Sequence, residues 1–315
     1  MKTTRTIAVA TLAVLGSLGF IIPTSSTAGP NLVVQSFPMD GHPSHLAFDG
    51  ANIWVTETDL NTVTKLRESD GAPLGTFAVG AEPGSVVFDG GNIWVANSLD
   101  CTMTKLRASD GTVLGTFPVV PRGNSLEGVA WDGANVWVVL YFDSTFGSGS
   151  VTKLRGSDGT VLGTFPVDET AIGVLFDGTN IWVANSGGNT LSKLRASDGT
   201  LLDTVPVGAY PTQLAFDGRK IWVINRNDNT VTAVGARDDE VFGTFRVFKA
   251  PGGIAFDGAN IWTTSAAENL AVILSGKDGS FKRRLGIDVF PAAIICAGTS
   301  MWVACQNTVD KISPR

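Results

Sequence analysis

Few residues in this chain are equipped for catalysis, and they are unevenly placed. Of its 315 residues only two are histidines, His42 and His45, and only two are tyrosines, Tyr141 and Tyr210. His45 is the one candidate for a general base, since imidazole is the side chain that titrates nearest neutrality. A second set recurs with the repeat described below: Glu57, Asn97, Leu140, Asn185, Asn225, Ser265 and Cys305 occupy equivalent positions. The oxygen-bearing members Glu57, Asn97, Asn185 and Asn225 could hold Ca²⁺ or Mg²⁺, which take carboxylate and amide oxygens. The alternative reading of the same asparagines is that they end a strand and start a turn. A third set comprises loop residues suited to ligand contact: Glu82, Glu127, Tyr141, Phe142, Phe146, Glu169, Tyr210, Gln213, Arg226 and Lys249. No nucleophile-elbow motif and no phosphate-cradling glycine loop before a helix occurs.

The elements that must position these groups are set by a repeat. Trp54, Trp94, Trp137, Trp182, Trp222, Trp262 and Trp302 are separated by 40, 43, 45, 40, 40 and 40 residues. Each copy holds four short runs rich in Val, Ile, Thr, Phe and Trp. In the second copy these are Ser85–Phe88, Asn92–Asn97, Thr102–Arg107 and Val113–Val119. Asp-Gly pairs divide the first run from the second and the third from the fourth. Asp and Gly tolerate tight-turn backbone angles, so the runs read as antiparallel hairpins. Four strands per repeat of this length predict a β-propeller blade, and seven copies predict a seven-bladed ring. The last copy ends after three runs, whereas 31–39 (NLVVQSFPM) matches the fourth run of other copies. The N-terminal strand is therefore expected to complete the last blade, leaving no open edge.

Residues 1–28 read as a secretory signal peptide: Lys2 and Arg5, the apolar run Ile7–Ile22, and the small residues Ser26-Thr27-Ala28. Residues 29–315 are then one propeller domain, exported to the periplasm or medium, with no membrane attachment after cleavage and monomeric. The net charge of −6 has no basic cluster to offset it, which argues against nucleic acid as a partner. The recurring pairs Lys65/Arg67, Lys105/Arg107, Lys153/Arg155 and Lys193/Arg195 are expected on a solvated outer face. Cys296 and Cys305 flank the last hairpin. If Cys296 faces Met301, the two sulfurs lie too far apart along the strands to bridge, so no disulfide is expected.

Comparison between copies separates scaffold from site. The Asp-Gly turns, with Asp49, Asp89, Asp132, Asp177, Asp217 and Asp257, repeat on one face, here called the bottom, and read as turn formers. The top face carries the loops between second and third strands and between blades, and these vary. Both departures from the 40-residue period fall there, in blade three: Val119 to Gly128 is three residues longer than its counterpart, and Leu140 to Val151 five longer. Insertions on one face of a repeat array often mark its binding face; the alternative reading is neutral loop growth. First strands are expected to start at His45, Ser85, Gly128, Gly173, Gln213, Gly253 and Ala293. His45 and Gln213, the large members, would project at the channel mouth.

The runs IWVAN (Ile93–Asn97, Ile181–Asn185), each followed by a TKLRASDG-like strand, resemble the YVTN-type β-propellers. The FDG-x-N-IWV pattern is also similar to the seven-bladed propeller group of streptogramin B lyases. That resemblance implies a Mg²⁺-assisted lyase with acidic ligands and a histidine on the top face. The chain departs from it in having no histidine in copies two to seven. Sugar-lactonase propellers, with a central divalent ion, offer a further analogy that no motif carries residue by residue. The function expected is a binding or interaction module that takes a protein, small-molecule or carbohydrate ligand on its top loops and has no required cofactor. The alternatives are a metal-assisted lyase or lactonase-like hydrolase at the top of the channel, and a structural cell-surface repeat.

Overall fold

The Asp-Gly turn explains why the signature repeats as it does. In the computed structural model, which describes residues 31–120 and 124–314, the Asp49 carboxylate closes the first hairpin with one oxygen. That oxygen accepts the backbone N–H groups of Ala51 and Asn52, at 2.9 and 2.7 Å. Its second oxygen accepts the indole N–H of Trp54 at 2.9 Å. The same Asp–Trp bond recurs at Trp94, Trp137, Trp182, Trp222 and Trp262. FDG-x-N-IW is thus one unit: a turn whose acid also satisfies the buried donor of the core tryptophan, as a buried indole requires.

The described residues form 28 strands in seven four-stranded antiparallel sheets. The ring closes as the sequence predicts. Leu32–Pro38 pairs along its length with Thr308–Pro314, making the fourth strand of the sheet that holds Ala293–Ala297 and Ser300–Ala304. Second and third strands are buried almost throughout, whereas fourth strands alternate towards solvent. The core lies between blades: Trp54 and Val63 of blade one pack with Val86, Ile93, Val95 and Leu106 of blade two, and six equivalent clusters continue round the ring. The tryptophans are the packing elements of these seams.

Two expectations are corrected. Six of the first strands begin two residues earlier than read, at Pro43, Pro83, Leu126, Ala171, Pro211 and Pro251. Each carries a bulge shortly after its start. Proline is compatible with the first position of a strand, where its missing N–H costs nothing. His45 and Gln213 therefore lie inside strands, at the bulge, and not at their tips.

The recurring lysines are also not solvated. Lys65, Lys105, Lys153, Lys193 and Lys311 are each about 6–7 % exposed. Each ammonium lies 4.9–5.3 Å from the tryptophan ring of its own blade. It then crosses the seam. Lys65 donates to the Ala108 carbonyl at 2.7 Å, Lys105 to Gly156 at 2.6 Å, and Lys311 carries the pattern from blade seven to Glu68 of blade one. The arginines behave as expected: Arg67, Arg107, Arg155 and Arg195 are exposed and pair with the aspartate three residues on, at 2.9 Å.

Cys296 does face Met301, and Cys101, Cys296 and Cys305 are free thiols. Residues 1–28 lie outside the described residues.

Candidate functional site

The second-strand ends that could ring a metal are turned into their own blades. Asn97 is fully buried; its amide group donates to Thr102 and Thr104, and its oxygen accepts the Gly80 N–H at 3.0 Å. Glu57 accepts the Gly41 N–H at 2.8 Å and the Thr64 hydroxyl. Asn185 and Asn225 repeat the donor contacts, to Thr190 and Ser192 and to Thr230 and Thr232. These residues hold the inter-blade connection and third strand onto the second strand. Asn185 and Asn225 each keep one buried oxygen without a partner, but Ca²⁺ or Mg²⁺ needs about six oxygens. No cluster of three or more His, Cys, Asp or Glu occurs among the described residues. This donor set does not fit a divalent cation. In blade three Leu140 stands where other blades have Asn97, and Asp143 of the insertion accepts the Ser150 hydroxyl at 3.0 Å.

The inner rim is crowded, which accounts for its small residues. A Cβ on Gly173 would collide with the Thr212 carbonyl oxygen, and one on Gly128 would sit 2.7 Å from that of Ile172. His45 and Gln213 are tolerated at the equivalent positions, each partly exposed. The His45 backbone N–H donates to the Thr56 hydroxyl at 3.0 Å, and its Nδ1 meets the Ser44 hydroxyl at 2.9 Å. Burial pushes its pKa down to about 4. The ring is therefore neutral at physiological pH, a hydrogen-bonding group but a poor base.

The insertion in blade three is a lengthened hairpin. Its strands run Asn135–Asp143 and Ser148–Arg155, with Asp143 opposite Ser148 and a bulge at Tyr141–Phe142. Tyr141, Phe142 and Phe146 are exposed by 38, 50 and 43 %. Tyr141, within the bulge, lies beside Tyr210, which belongs to the connection entering blade five. The Tyr141 hydroxyl is held above its usual pKa chiefly by the neighbouring Tyr210 hydroxyl, then by burial, by their hydrogen bond and by the charge of Glu127. Glu127 lies on the first strand of the same blade. Burial pushes its carboxyl up, partly offset by the Ser125 hydroxyl at 3.1 Å.

The top face thus assembles Glu127, Tyr141 and Tyr210, three residues 14 and 69 positions apart in sequence. Tyr210 is braced by its backbone, which is left-handed at φ 58°. Its N–H donates to Asn189 at 2.9 Å and its carbonyl accepts the Arg226 N–H at 3.0 Å. Non-glycine residues rarely adopt this conformation; here it recurs at Thr170, Ala250 and Phe290 and belongs to the repeat. Glu82 sits at the equivalent left-handed position beside blade two, its N–H held by Asn61. Glu82, Glu169, Arg226 and Lys249 are exposed on other top loops, and no contact joins their side chains to the tyrosine pair among the described residues. The longer connection before blade three falls partly on 121–123, outside the described residues. The sequence reading missed the Asn61, Asn189, Asn229 and Asn269 brackets, although these asparagines recur at one repeat position. Each accepts the N–H of the residue before the proline that leads into the next blade: Glu82, Tyr210, Ala250 and Phe290.

The fold defines the class: a seven-bladed β-propeller, here with a polar–aromatic cluster among the loops of one face. No family model matches the chain, and no curated protein sequence matches it. Solved structures do. A streptogramin B lyase superposes with a TM-score of 0.78 at 17% identity, covering 90% of this chain and 98% of that one. Virginiamycin B lyase from Staphylococcus aureus gives 0.77 at 14%, covering 90% and 100%. The hydrazine synthase of Kuenenia stuttgartiensis gives 0.72 at 15%, covering 87% and 96%. At these identities the likeness is one of fold.

Proposed function

We propose that this protein is an exported binding module whose ligand sits on the top face against Glu127, Tyr141 and Tyr210. The observation that carries the reading is the meeting of one phenol on a lengthened hairpin with a second phenol from the connection entering blade five and a half-buried carboxyl on the neighbouring strand, in a scaffold otherwise kept to period. Two phenol faces offer flat apolar contact, and the two hydroxyls and the carboxyl offer directed hydrogen bonds. That combination suits a carbohydrate or a peptide. Phe142 and Phe146 extend the contact surface outward, since exposed aromatics are enriched where a partner docks. The test is an array of immobilised glycans and peptides probed with the purified protein. Any ligand found is then measured against Tyr141→Ala, Tyr210→Ala, and a variant with Phe142–Ser148 shortened to the length of blade two. Loss of at least tenfold in affinity with melting temperature intact supports the site. Undiminished binding in all three removes it.

A second reading is a lyase or lactonase-like hydrolase, favoured by the raised Glu127 carboxyl near the Tyr141 hydroxyl, whose own pKa is raised. One group could take a proton while another donates one. Incubation with a streptogramin B and with simple lactones, with and without Mg²⁺, followed by mass spectrometry, tests it. Turnover lost in Glu127→Gln supports this reading, and no product from any substrate argues against it.

A further inference from the structure

Blades five and six differ from the first four on the bottom face as well, and in a concerted way. In blades one to four the third strand ends in an arginine neutralised by its own turn, as in the Arg67–Asp70 pair. The equivalent residues are Gly235 in blade five and Ser275 in blade six. A cleft of about 650 Å³ opens between the turns of the two blades, lined by Gly235 on one side and by Gly276 and Lys277 on the other. Cations have instead appeared around it. Arg219 stands where other copies have Ala, Gly or Thr, and Arg237 and Lys277 stand where the first four have Ser. All three are exposed, line the cleft, and make no ion pair among the described residues.

Lys220 lies deeper, its ammonium against the Gly276 carbonyl at 2.7 Å and 4.7 Å from the Trp222 ring. Of the lining carboxylates, Asp217 is already bound by the backbone N–H groups of Arg219 and Lys220, the Trp222 indole and the Lys220 ammonium. Asp238 accepts the Glu240 N–H at 3.3 Å. Among the lining residues four cations stand against two carboxylates, in a chain whose total is −6; Asp278, outside the lining, feels the charge of Lys277 but is held mainly by Ser280. Phe242, 55 % exposed, adds an apolar wall.

We propose that this cleft is a second binding site, for a small molecule carrying two or more negative oxyanion charges, carboxylate or phosphate. Unpaired guanidinium groups suit such ligands because their planar donor fork matches two oxygens at once. The site is independent of the top-face reading and lies on the opposite side of the ring.

The experiment is titration calorimetry on the purified protein at low ionic strength, with citrate and inorganic pyrophosphate as probes for the two oxyanion classes. Saturable binding of either is expected, weakening as salt is raised. Arg219→Ala combined with Arg237→Ala should weaken it at least tenfold and leave the melting temperature unchanged, since neither side chain has an ion-pair partner to lose. Gly235→Arg rebuilds the arginine of the other blades. A Cβ there runs into an Asp238 carboxylate oxygen, so Asp238 must swing out to pair, as Asp70 does, and the cleft fills. That variant should fold, by circular dichroism, and lose the probe. Arg67→Ala, which removes a charge elsewhere on the same face, should bind normally. No saturable heat with either probe, binding retained in both cleft variants, or an equal loss in Arg67→Ala would each overturn the proposal.

Discussion

Single side chains in this ring are explained by what the other copies carry at the same position. Trp302 is the exception among the repeating tryptophans: its indole N–H is buried without a partner, because Ala297 stands where the other copies have the turn aspartate. An unpaired buried donor costs about 1–3 kcal/mol. Ala297→Asp, combined with Ser300→Asn to complete the turn, should raise the melting temperature by about 2 °C or more, and a drop in a thermal scan would show that blade seven has repacked round the loss. His45 makes a second expectation at this scale. Its folded pKa, about 4, lies below the ordinary 6.5. The folded state therefore binds fewer protons between these values. Its contribution is complete above pH 6.5 and shrinks as pH falls towards 4, by about 1–3 kcal/mol for a partly exposed ring. The turn acids act lower. For Asp49, Asp89, Asp132 and Asp257, burial works to raise the pKa, but hydrogen bonds from tryptophan, asparagine and backbone outweigh it and the net shift is downward. Their stabilisation is present above the usual carboxylate range and is lost below it. Denaturation at pH 7.0, 5.5 and 4.5 should thus show a loss in the wild type that His45→Gln reduces; an identical loss in the variant would rule His45 out as its source.

Between elements, the seams show paired changes. In most seams a fourth-strand phenylalanine packs under the glycine of the next blade's turn, so a Cβ on Gly111 would overlap the Phe77 ring and one on Gly199 that of Phe165. At the seam between blades four and five, Val205 replaces the phenylalanine and Asp239 the glycine, in a left-handed conformation at φ 60°. The smaller side chain makes room for the carboxylate, which receives the Lys193 ammonium at 2.7 Å. Val205→Phe alone should overpack this seam and cost about 1–3 kcal/mol. Paired with Asp239→Gly it should cost about 1 kcal/mol less, or better, than the two single changes added together; simple additivity in urea denaturation would contradict the coupling. A similar exchange occurs one blade on. Blade five has Ala233 where the lysine stands, and Lys220, on the adjacent strand, reaches across to the Gly276 carbonyl instead. Blade six has Ile273 there. Its neighbour, blade seven, has no turn joining third and fourth strands, because that junction is where the chain ends meet.

At the scale of the molecule, closure rests on the seven-residue pairing of Leu32–Pro38 with Thr308–Pro314, and on Phe37, which stacks on Trp302 at 5.5 Å and sits under Gly71 of blade one. Deleting 31–39 would expose the third strand of blade seven and empty both contacts. The melting temperature should fall by about 10 °C or more, with concentration-dependent association through the open edge. A melting curve unchanged by the deletion would mean that the ring does not depend on this strand.

The order of strands, the number of blades, the closing strand and the bottom turns were all legible in the sequence, because each follows from local rules: period, alternation, and Asp-Gly at a turn. Blade three's insertion was legible too, as a break in an otherwise constant spacing. What the tertiary structure decided was direction. A repeat shows that Lys65 and Asn97 recur but not which way they point, and both proved to be buried. The lysine stems run along the tryptophan face to a carbonyl of the next blade, a partner some 40 residues away in sequence and invisible to pattern. The meeting of Tyr141 with Tyr210 and Glu127 likewise depends on ring curvature. The bottom cleft between blades five and six gathers Arg219, Arg237 and Lys277 from three separate turns, a grouping that becomes a shape once the blades are set side by side.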